Sequence, residues 1–106
     1  DMIITGGYNV YPAEIERVMA GHPDIALVAV GSVPDEVKGE VACAYVVRIP
    51  NSTVTAEALI DFAGERLAAY KRPRLLRFVD SLPTTSSGKI MRRRLHEFSS
   101  SSQSEP

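Results

Sequence analysis

The chain of 106 residues carries 12 basic and 13 acidic side chains, a net charge of -1, and is 44% hydrophobic. This size and composition predict a single domain with one modest core. Because nucleic-acid-binding proteins use an overall positive field, the balanced charge excludes that class and requires any anion site to be local.

Compartment and metal binding are constrained by what the sequence lacks. No stretch approaches the roughly 20 apolar residues that span a bilayer, and no apolar leader is present, so we expect a cytoplasmic protein without a transmembrane segment. The lone Cys43 cannot form an internal disulfide, and its apolar neighbours predict a buried thiol in a strand. Neither His22 nor His96 has metal-ligand spacing with Cys43, and no metal site is predicted.

The first elements in chain order are short. Residues 2–5 and 10–11 are of β type, and the Gly-Gly-Tyr-Asn segment between them predicts a tight turn. Pro12 suits the first position of a helix, which we expect to end near Gly21 and Pro23. The apolar stripe of this helix consists of Ile15, Val18 and Met19.

Residues 25–33 and 41–49 predict two adjacent antiparallel strands, joined by a turn over residues 34–40. Thr55 is the predicted N-cap of a second helix, which we expect to end near the Tyr-Lys-Arg-Pro segment at residues 70–73. The apolar face of that helix consists of Leu59, Ile60, Ala63 and Leu67.

The last third contains residues 75–79 as a third strand, an exposed and mobile polar loop at 83–88, and a short helix at 89–98. From residue 99 onward the sequence lacks apolar residues and predicts a disordered tail. The whole predicts an α+β domain over residues 1–98: an N-terminal β-hairpin plus a mostly antiparallel three-stranded sheet covered by two to three helices.

Three motifs are candidates for ligand binding. The loop ending in Gly88 and Lys89 presents an ammonium group behind a glycine that permits close backbone approach to a ligand, although it is not a Walker A motif. Taken alone, the motif is better explained by a solvated lysine on a surface loop. The turn at Gly6 and Gly7, beside Tyr8, could let a thin substrate chain pass along bare backbone, or could be an ordinary hairpin turn.

The third motif and the basic run near the end have alternatives of the same kind. Tyr70 and Arg72 could stack on a nucleotide base or hold a phosphate, but cations are also favoured at a helix C-terminus. The three arginines at 92–94 could bind phosphates, yet the solvated face of a helix is the simpler interpretation.

The order of these motifs carries more information than any one of them. Residues 1–16 (DMIITGGYNVYPAEIE) resemble the start of the C-terminal domain of adenylate-forming acyl-CoA synthetases, and further similar motifs follow in the family's order. These are VPDE with Gly39-Glu40, YKRP at 70–73, FVDSLP at 78–83 and Gly88-Lys89-Ile90. The resemblance runs from residue 1 to about residue 95.

This resemblance implies an enzyme that first joins a carboxylate to AMP and then transfers the acyl group to CoA, with the small domain rotating between the two steps. Lys89, with Gly88 before it, would be the adenylation lysine, where a fixed cation stabilises charge that develops between two anionic reactants. Gly6, Gly7 and Tyr8 would border the pantetheine tunnel. Tyr70 and Arg72 would lie beside the CoA nucleotide, with Lys38 as a further phosphate contact.

The implied partners are ATP, CoA, a carboxylic acid, which we expect to be a fatty acid, and a large N-terminal adenylation domain that holds most of the Mg²⁺ ligands. The chain then corresponds to a fragment, with the family's hinge residue just before Asp1, and we expect it to be inactive alone. Two alternatives stay open: the lid of a non-CoA enzyme, such as a peptide-synthetase adenylation domain or a luciferase-like oxidase, and a free-standing α+β ligand-binding module.

Overall fold

The computed structural model describes residues 2–99 and has the predicted α+β architecture. The strands are β1 (Ile3–Thr5), β2 (Tyr8–Val10), β3 (Ile25–Asp35), β4 (Gly39–Arg48) and β5 (Leu75–Phe78). The helices are α1 (Pro12–Met19), α2 (Ala56–Gly64) and the single turn α3 (His96–Ser99), with 3₁₀ turns at Ala69–Lys71 and Arg92–Arg94.

Strand β4 organises the sheet, because it pairs with three other strands. It is antiparallel to β3 along its whole length and antiparallel to β1 where Thr5 meets Gly39. It is parallel to β5, with Cys43 opposite Leu75. Strand β2 lies outside β1, so the predicted hairpin extends the sheet rather than standing beside it.

The two faces of the sheet carry separate cores, because successive side chains of a strand point to opposite faces. On β4, Ala42 and Ala44 face the larger core, while Cys43 and Tyr45 face the smaller one. The larger core includes helix residues Ile15, Met19, Leu59 and Ala63. The smaller core is closed by Val79, Leu82 and Leu95 from the C-terminal part of the chain.

Local sequence signals explain where several elements begin. Pro12 occupies the start of α1, and the Thr55 hydroxyl accepts a hydrogen bond from the Ala58 amide at 3.1 Å, which confirms the predicted N-cap of α2. Between β3 and β4, Asp35 Oδ2 accepts the Lys38 amide at 2.9 Å. This carboxylate shortens the turn, so both strands extend further into residues 34–40 than predicted.

Two helix boundaries predicted from sequence are wrong. Helix α2 ends at Gly64, and residues 65–67 form a turn and a bend before the backbone becomes extended at Ala68, although Leu67 still reaches the core. A helix does not begin at Lys89, since Ile90 forms a β-bridge with Thr84 and the segment first turns back on itself.

The predicted disordered tail lies outside the described residues, apart from its first residue. Across residues 2–99 the structure contains no helix with both the length and the apolar character needed to cross a bilayer.

The thiol of Cys43 is buried, as predicted, and burial raises its pKa above the ordinary value of 9.0. We expect thiol reagents at pH 8 to modify Cys43 only through unfolding, so the native chain should react far more slowly than the chain in guanidinium chloride.

Because the thiol of Cys43 ionises at lower pH in the unfolded chain than in the folded one, its contribution to the free energy of unfolding is constant below pH 9 and falls as the pH rises further. Urea unfolding across this range, with Cys43→Ala as control, measures that loss; equal slopes for both proteins would contradict it.

Candidate functional site

Lys89 lies at the end of a tight hairpin rather than in an open loop. The Thr85 amide donates to the Lys89 carbonyl at 2.8 Å, and the Lys89 amide donates to Thr85 Oγ1 at 3.1 Å. Gly88, with a φ of +89°, supplies the left-handed backbone that this turn requires. The Lys89 side chain is exposed and has no hydrogen bond or ion pair with the rest of residues 2–99. Its ammonium group is therefore available to a ligand outside this chain.

The base of this hairpin is fixed to the body of the domain. Ile90 packs against the smaller core, and the Met91 amide donates to the Pro83 carbonyl at 2.9 Å. Just beyond it, Arg92 pairs with Glu16 of α1, with Nη2 and Oε1 2.7 Å apart. A lysine on the returning strand of a short hairpin, next to its anchored base, can be presented at a defined position to a neighbouring surface.

The other candidate residues predicted from sequence come together around one cavity of about 110 Å³. Gly6 and Tyr8 reach it from the β1–β2 turn, Lys38 from the β3–β4 turn, and Tyr70 and Arg72 from the 3₁₀ turn after α2. Gly7, with a φ of +88°, completes the β1–β2 turn next to them. Residues far apart in the sequence therefore form one surface.

An exposed pair of aromatic rings borders this cavity. Tyr8 and Tyr70 stack with their ring centroids 4.6 Å apart and an interplanar angle of 25°. Their side chains remain accessible, since the residues are 57% and 41% exposed. Exposed, stacked tyrosines offer flat faces to a heterocyclic base or to an extended ligand chain.

Three cationic side chains line the same cavity: Lys38, Arg72 and Arg74. None of them forms an ion pair within residues 2–99. Lys71 behaves differently, because it pairs with Glu14 at 3.1 Å, and this hydrogen bond raises the Lys71 pKa. The free cations and the two rings suit a ligand that carries phosphate groups and an aromatic base.

The two groups of candidate residues lie on opposite faces of the sheet. The cavity is lined by Val10 and Ala42, which belong to the core beneath α1 and α2. Lys89 precedes Ile90, which packs into the core of the other face. A single pose of this domain against a partner cannot present both groups to the same point.

The arginines at 92–94 do not form a free phosphate site. Arg92 pairs with Glu16, and Arg94 pairs with Glu97 at 3.0 Å, so only Arg93 among them has no ion pair within the described residues. No group of three or more His, Cys, Asp or Glu side chains in residues 2–99 is arranged to hold a metal ion.

Comparison with known families identifies the fold. Residues 14–89 match the family described as the AMP-binding enzyme C-terminal domain, which is well over half of the chain. The chain belongs to this family. The matched range includes Lys38, Tyr70, Arg72 and Lys89, whereas Gly6, Gly7 and Tyr8 precede it.

Longer alignments extend this C-terminal domain to nearly the whole chain. A 3-[(3aS,4S,7aS)-7a-methyl-1,5-dioxo-octahydro-1H-inden-4-yl]propanoyl:CoA ligase of Rhodococcus jostii is 52% identical over 92% of this chain and 19% of its own length. The long-chain-fatty-acid–CoA ligase FadD13 of Mycobacterium tuberculosis is 46% identical over the same shares. A solved Mycobacterium tuberculosis fatty acyl CoA synthetase aligns with a TM-score of 0.87 and 43% identity, over 95% of this chain and 20% of that one. The chain thus spans about a fifth of the length of these relatives.

Sequence reasoning missed two residues of this C-terminal domain that the structure adds to the candidate sites. Arg74 lines the cavity together with Arg72. The sequence signal that could have identified Arg74 is its position two residues after Arg72, beyond Pro73. Thr85 closes the hairpin of Lys89 through its hydroxyl and backbone. A threonine four residues before a lysine gives no signal that a β-hairpin joins them.

Proposed function

We propose that the chain is the C-terminal domain of an ATP-dependent acyl-CoA ligase, which activates a carboxylic acid as acyl-AMP and transfers the acyl group to CoA. The observation that carries this proposal is the division of candidate residues between two faces: one free lysine on a hairpin, and a cationic, aromatic cavity on the other side of the sheet. Two chemical steps with different charge requirements would each use one face.

In the first step, Lys89 would enter a site built by a large N-terminal domain, next to the substrate carboxylate and the α-phosphate of ATP. Both reactants are anionic, so a fixed ammonium group lowers the free energy of the transition state more than that of the separated reactants. Residues 2–99 offer no carboxylate cluster for Mg²⁺, and its ligands would come from the large domain. This chain contributes the charge and its position.

In the second step the opposite face would turn toward the large domain. The Gly6–Gly7 turn, with its bare backbone, would border the pantetheine arm of CoA, and Tyr8 and Tyr70 would pack beside it or the adenine. Lys38, Arg72 and Arg74 would bind the phosphates of the nucleotide end of CoA.

Because ATP and CoA are supplied inside the cell, we propose that the enzyme acts in the cytoplasm.

The CoA assignment separates this proposal from its rivals. A peptide-synthetase adenylation domain or a luciferase-like oxidase could use the Lys89 face without selecting CoA, so the cationic cavity is the feature that favours CoA. The family match favours an enzyme domain over a free-standing ligand-binding module. A fatty or other hydrophobic carboxylic acid is the proposed substrate, in keeping with the acids that the relatives' names state.

The complete enzyme containing this chain tests the proposal directly. We expect it to release pyrophosphate from ATP with a hydrophobic carboxylic acid and to form the acyl-CoA thioester when CoA is added. Lys38→Ala and Arg74→Ala should each raise the KM for CoA about tenfold, as expected for a lost charge-assisted hydrogen bond, and leave pyrophosphate release unchanged.

Two results would count against the proposal. Adenylation without transfer to CoA would indicate a different acceptor. Unchanged CoA kinetics in both variants would show that the cavity is not the CoA site.

A further inference from the structure

Arg72 lies against the last turn of α2 at a point where that helix has no side chain. If Gly64 carried a Cβ atom, it would be 3.3 Å from Arg72 Nε and 3.4 Å from Cζ. These contacts are tighter than ordinary van der Waals separation, so an exposed and flexible arginine would move away. The present position of the guanidinium therefore depends on a glycine at position 64.

This position has an electrostatic reason of its own. The last turn of α2 contains no basic residue of its own, and the carbonyl groups at a helix C-terminus carry partial negative charge. Arg66, just beyond the helix, donates to the Phe62 carbonyl at 2.9 Å, and the guanidinium of Arg72 supplies a second cation beside that end of the helix. It gains this attraction without an ion pair to any of residues 2–99, so its N–H donors stay open to a ligand.

The guanidinium stands between two surroundings of opposite charge. On one side is the cavity with Lys38, Arg74 and the two tyrosines. On the other is an open groove of about 320 Å³ lined by Asp61, Gly64 and Glu65. An arginine released from Gly64 would have the Asp61 carboxylate in the groove as a competing partner, whereas Glu65 already pairs with Arg66 at 3.2 Å.

We infer that Gly64 is a positioning residue for CoA binding, which holds the Arg72 guanidinium at the phosphate-binding cavity by leaving room for it against α2. The inference rests on the proposed function, because it assumes that Arg72 contacts a phosphate of CoA. Gly64 itself touches no ligand. It acts through the location of one neighbouring side chain.

The test is a cycle of variants in the complete enzyme, read as the KM for CoA in thioester formation and as the kcat of adenylation from pyrophosphate release. Arg72→Ala should raise the KM for CoA about tenfold. Gly64→Ala should raise it by between about twofold and tenfold and leave the kcat of adenylation unchanged. In the Arg72→Ala background, Gly64→Ala should have no further effect. In the Arg72→Lys background the lysine side chain is thinner than that of arginine, so adding Gly64→Ala should change the KM for CoA very little.

Controls separate positioning from general damage. Alanine is the better helix former, and Gly64 has no positive φ, so the melting temperature of Gly64→Ala should not fall. Gly21→Ala is the matched control, because its Cβ would meet the Val18 carbonyl at a similar 3.3 Å and Gly21 lines neither cavity. Its KM for CoA should equal that of the wild type.

The outcomes distinguish this inference from the proposed function. If Arg72→Ala leaves KM unchanged, the CoA assignment of this residue fails and the inference falls with it. If Arg72→Ala raises KM while Gly64→Ala does not, or if the Gly64→Ala effect persists without Arg72, the positioning role is overturned and the CoA site stands.

Discussion

Replacing Lys89 by alanine should reduce the rate of acyl-adenylate formation by about 10²- to 10³-fold, the usual cost of removing one preorganised charge from a transition state. The hairpin places this ammonium group in solvent without partners among residues 2–99, so the substitution removes no contact that stabilises this part of the fold. The melting temperature should therefore stay within the small range of surface substitutions. The loss would be chemical rather than structural.

The two half-reactions of the complete enzyme are measured separately for this variant. Pyrophosphate release reports adenylation, and thioester formation from a supplied acyl-adenylate reports the second step, which Lys89→Ala should leave largely intact. Lys38→Ala, which removes another exposed lysine, should give the reverse pattern: a raised KM for CoA and normal pyrophosphate release. Equal losses in both steps for Lys89→Ala would show that Lys89 acts in both half-reactions and not in adenylation alone.

The conservative variant Lys89→Arg refines this expectation. It keeps the positive charge but replaces a compact ammonium group with a larger planar fork. If charge alone matters, adenylation should recover substantially relative to Lys89→Ala. If a defined ammonium position matters, as the short hairpin with its anchored base suggests, recovery should be small.

Much of the fold could be predicted because its signals are local. Pro12 and the stripe ending in Met19 specify α1 within a few residues, and Thr55 caps α2 as expected. Residues 41–46, around Cys43, form the apolar run that predicted a strand, and all of them are buried, with successive side chains entering the two cores in turn. Each of these features depends on residues that lie close together in the sequence.

The failures concern contacts between distant residues. No local signal shows that Ile90 pairs with Thr84 and so delays the last helix, or that Arg74 joins Lys38 at one cavity. The candidate residues were identified through the order of their motifs. The placement of Lys89 on one face and of the cavity on the other depends on tertiary structure. The family resemblance implied this placement, whereas the spacing of the residues in the sequence did not.

The second large effect is expected at Glu16. Its carboxylate, on helix α1, binds both an edge strand of the sheet and an arginine from the opposite face of that sheet. Strand β3 lies at one edge of the sheet, and Glu16 Oε2 accepts the Val30 amide of this strand at 2.9 Å. The same carboxylate receives Arg92 from the other face, through Nη2 at 2.7 Å and Nε at 3.3 Å. Since only 19% of the Glu16 side chain and 27% of that of Arg92 are exposed, solvent screens this pair less than a surface pair.

Glu16→Ala should lower the free energy of unfolding by about 2–3 kcal/mol, because it leaves an edge amide without its acceptor and a half-buried guanidinium without this carboxylate. Glu16→Gln keeps an oxygen for the Val30 amide and loses only the charge, so we expect a smaller loss of about 1 kcal/mol. Urea unfolding of both variants measures the difference. Equal losses would mean that the charge, and not the edge hydrogen bond, accounts for the whole effect.

The same substitution should also weaken adenylation, because Arg92 follows the hairpin of Lys89 closely and its pair with Glu16 fixes the start of that segment to α1. In the complete enzyme, Glu16→Ala should reduce pyrophosphate release while the KM for CoA, set on the opposite face, changes little. Arg92→Ala should reproduce this pattern, and the double variant should lose less than the sum of the two single losses. Additive losses would mean that Glu16 and Arg92 act separately, and that the ion pair does not hold Lys89 in position.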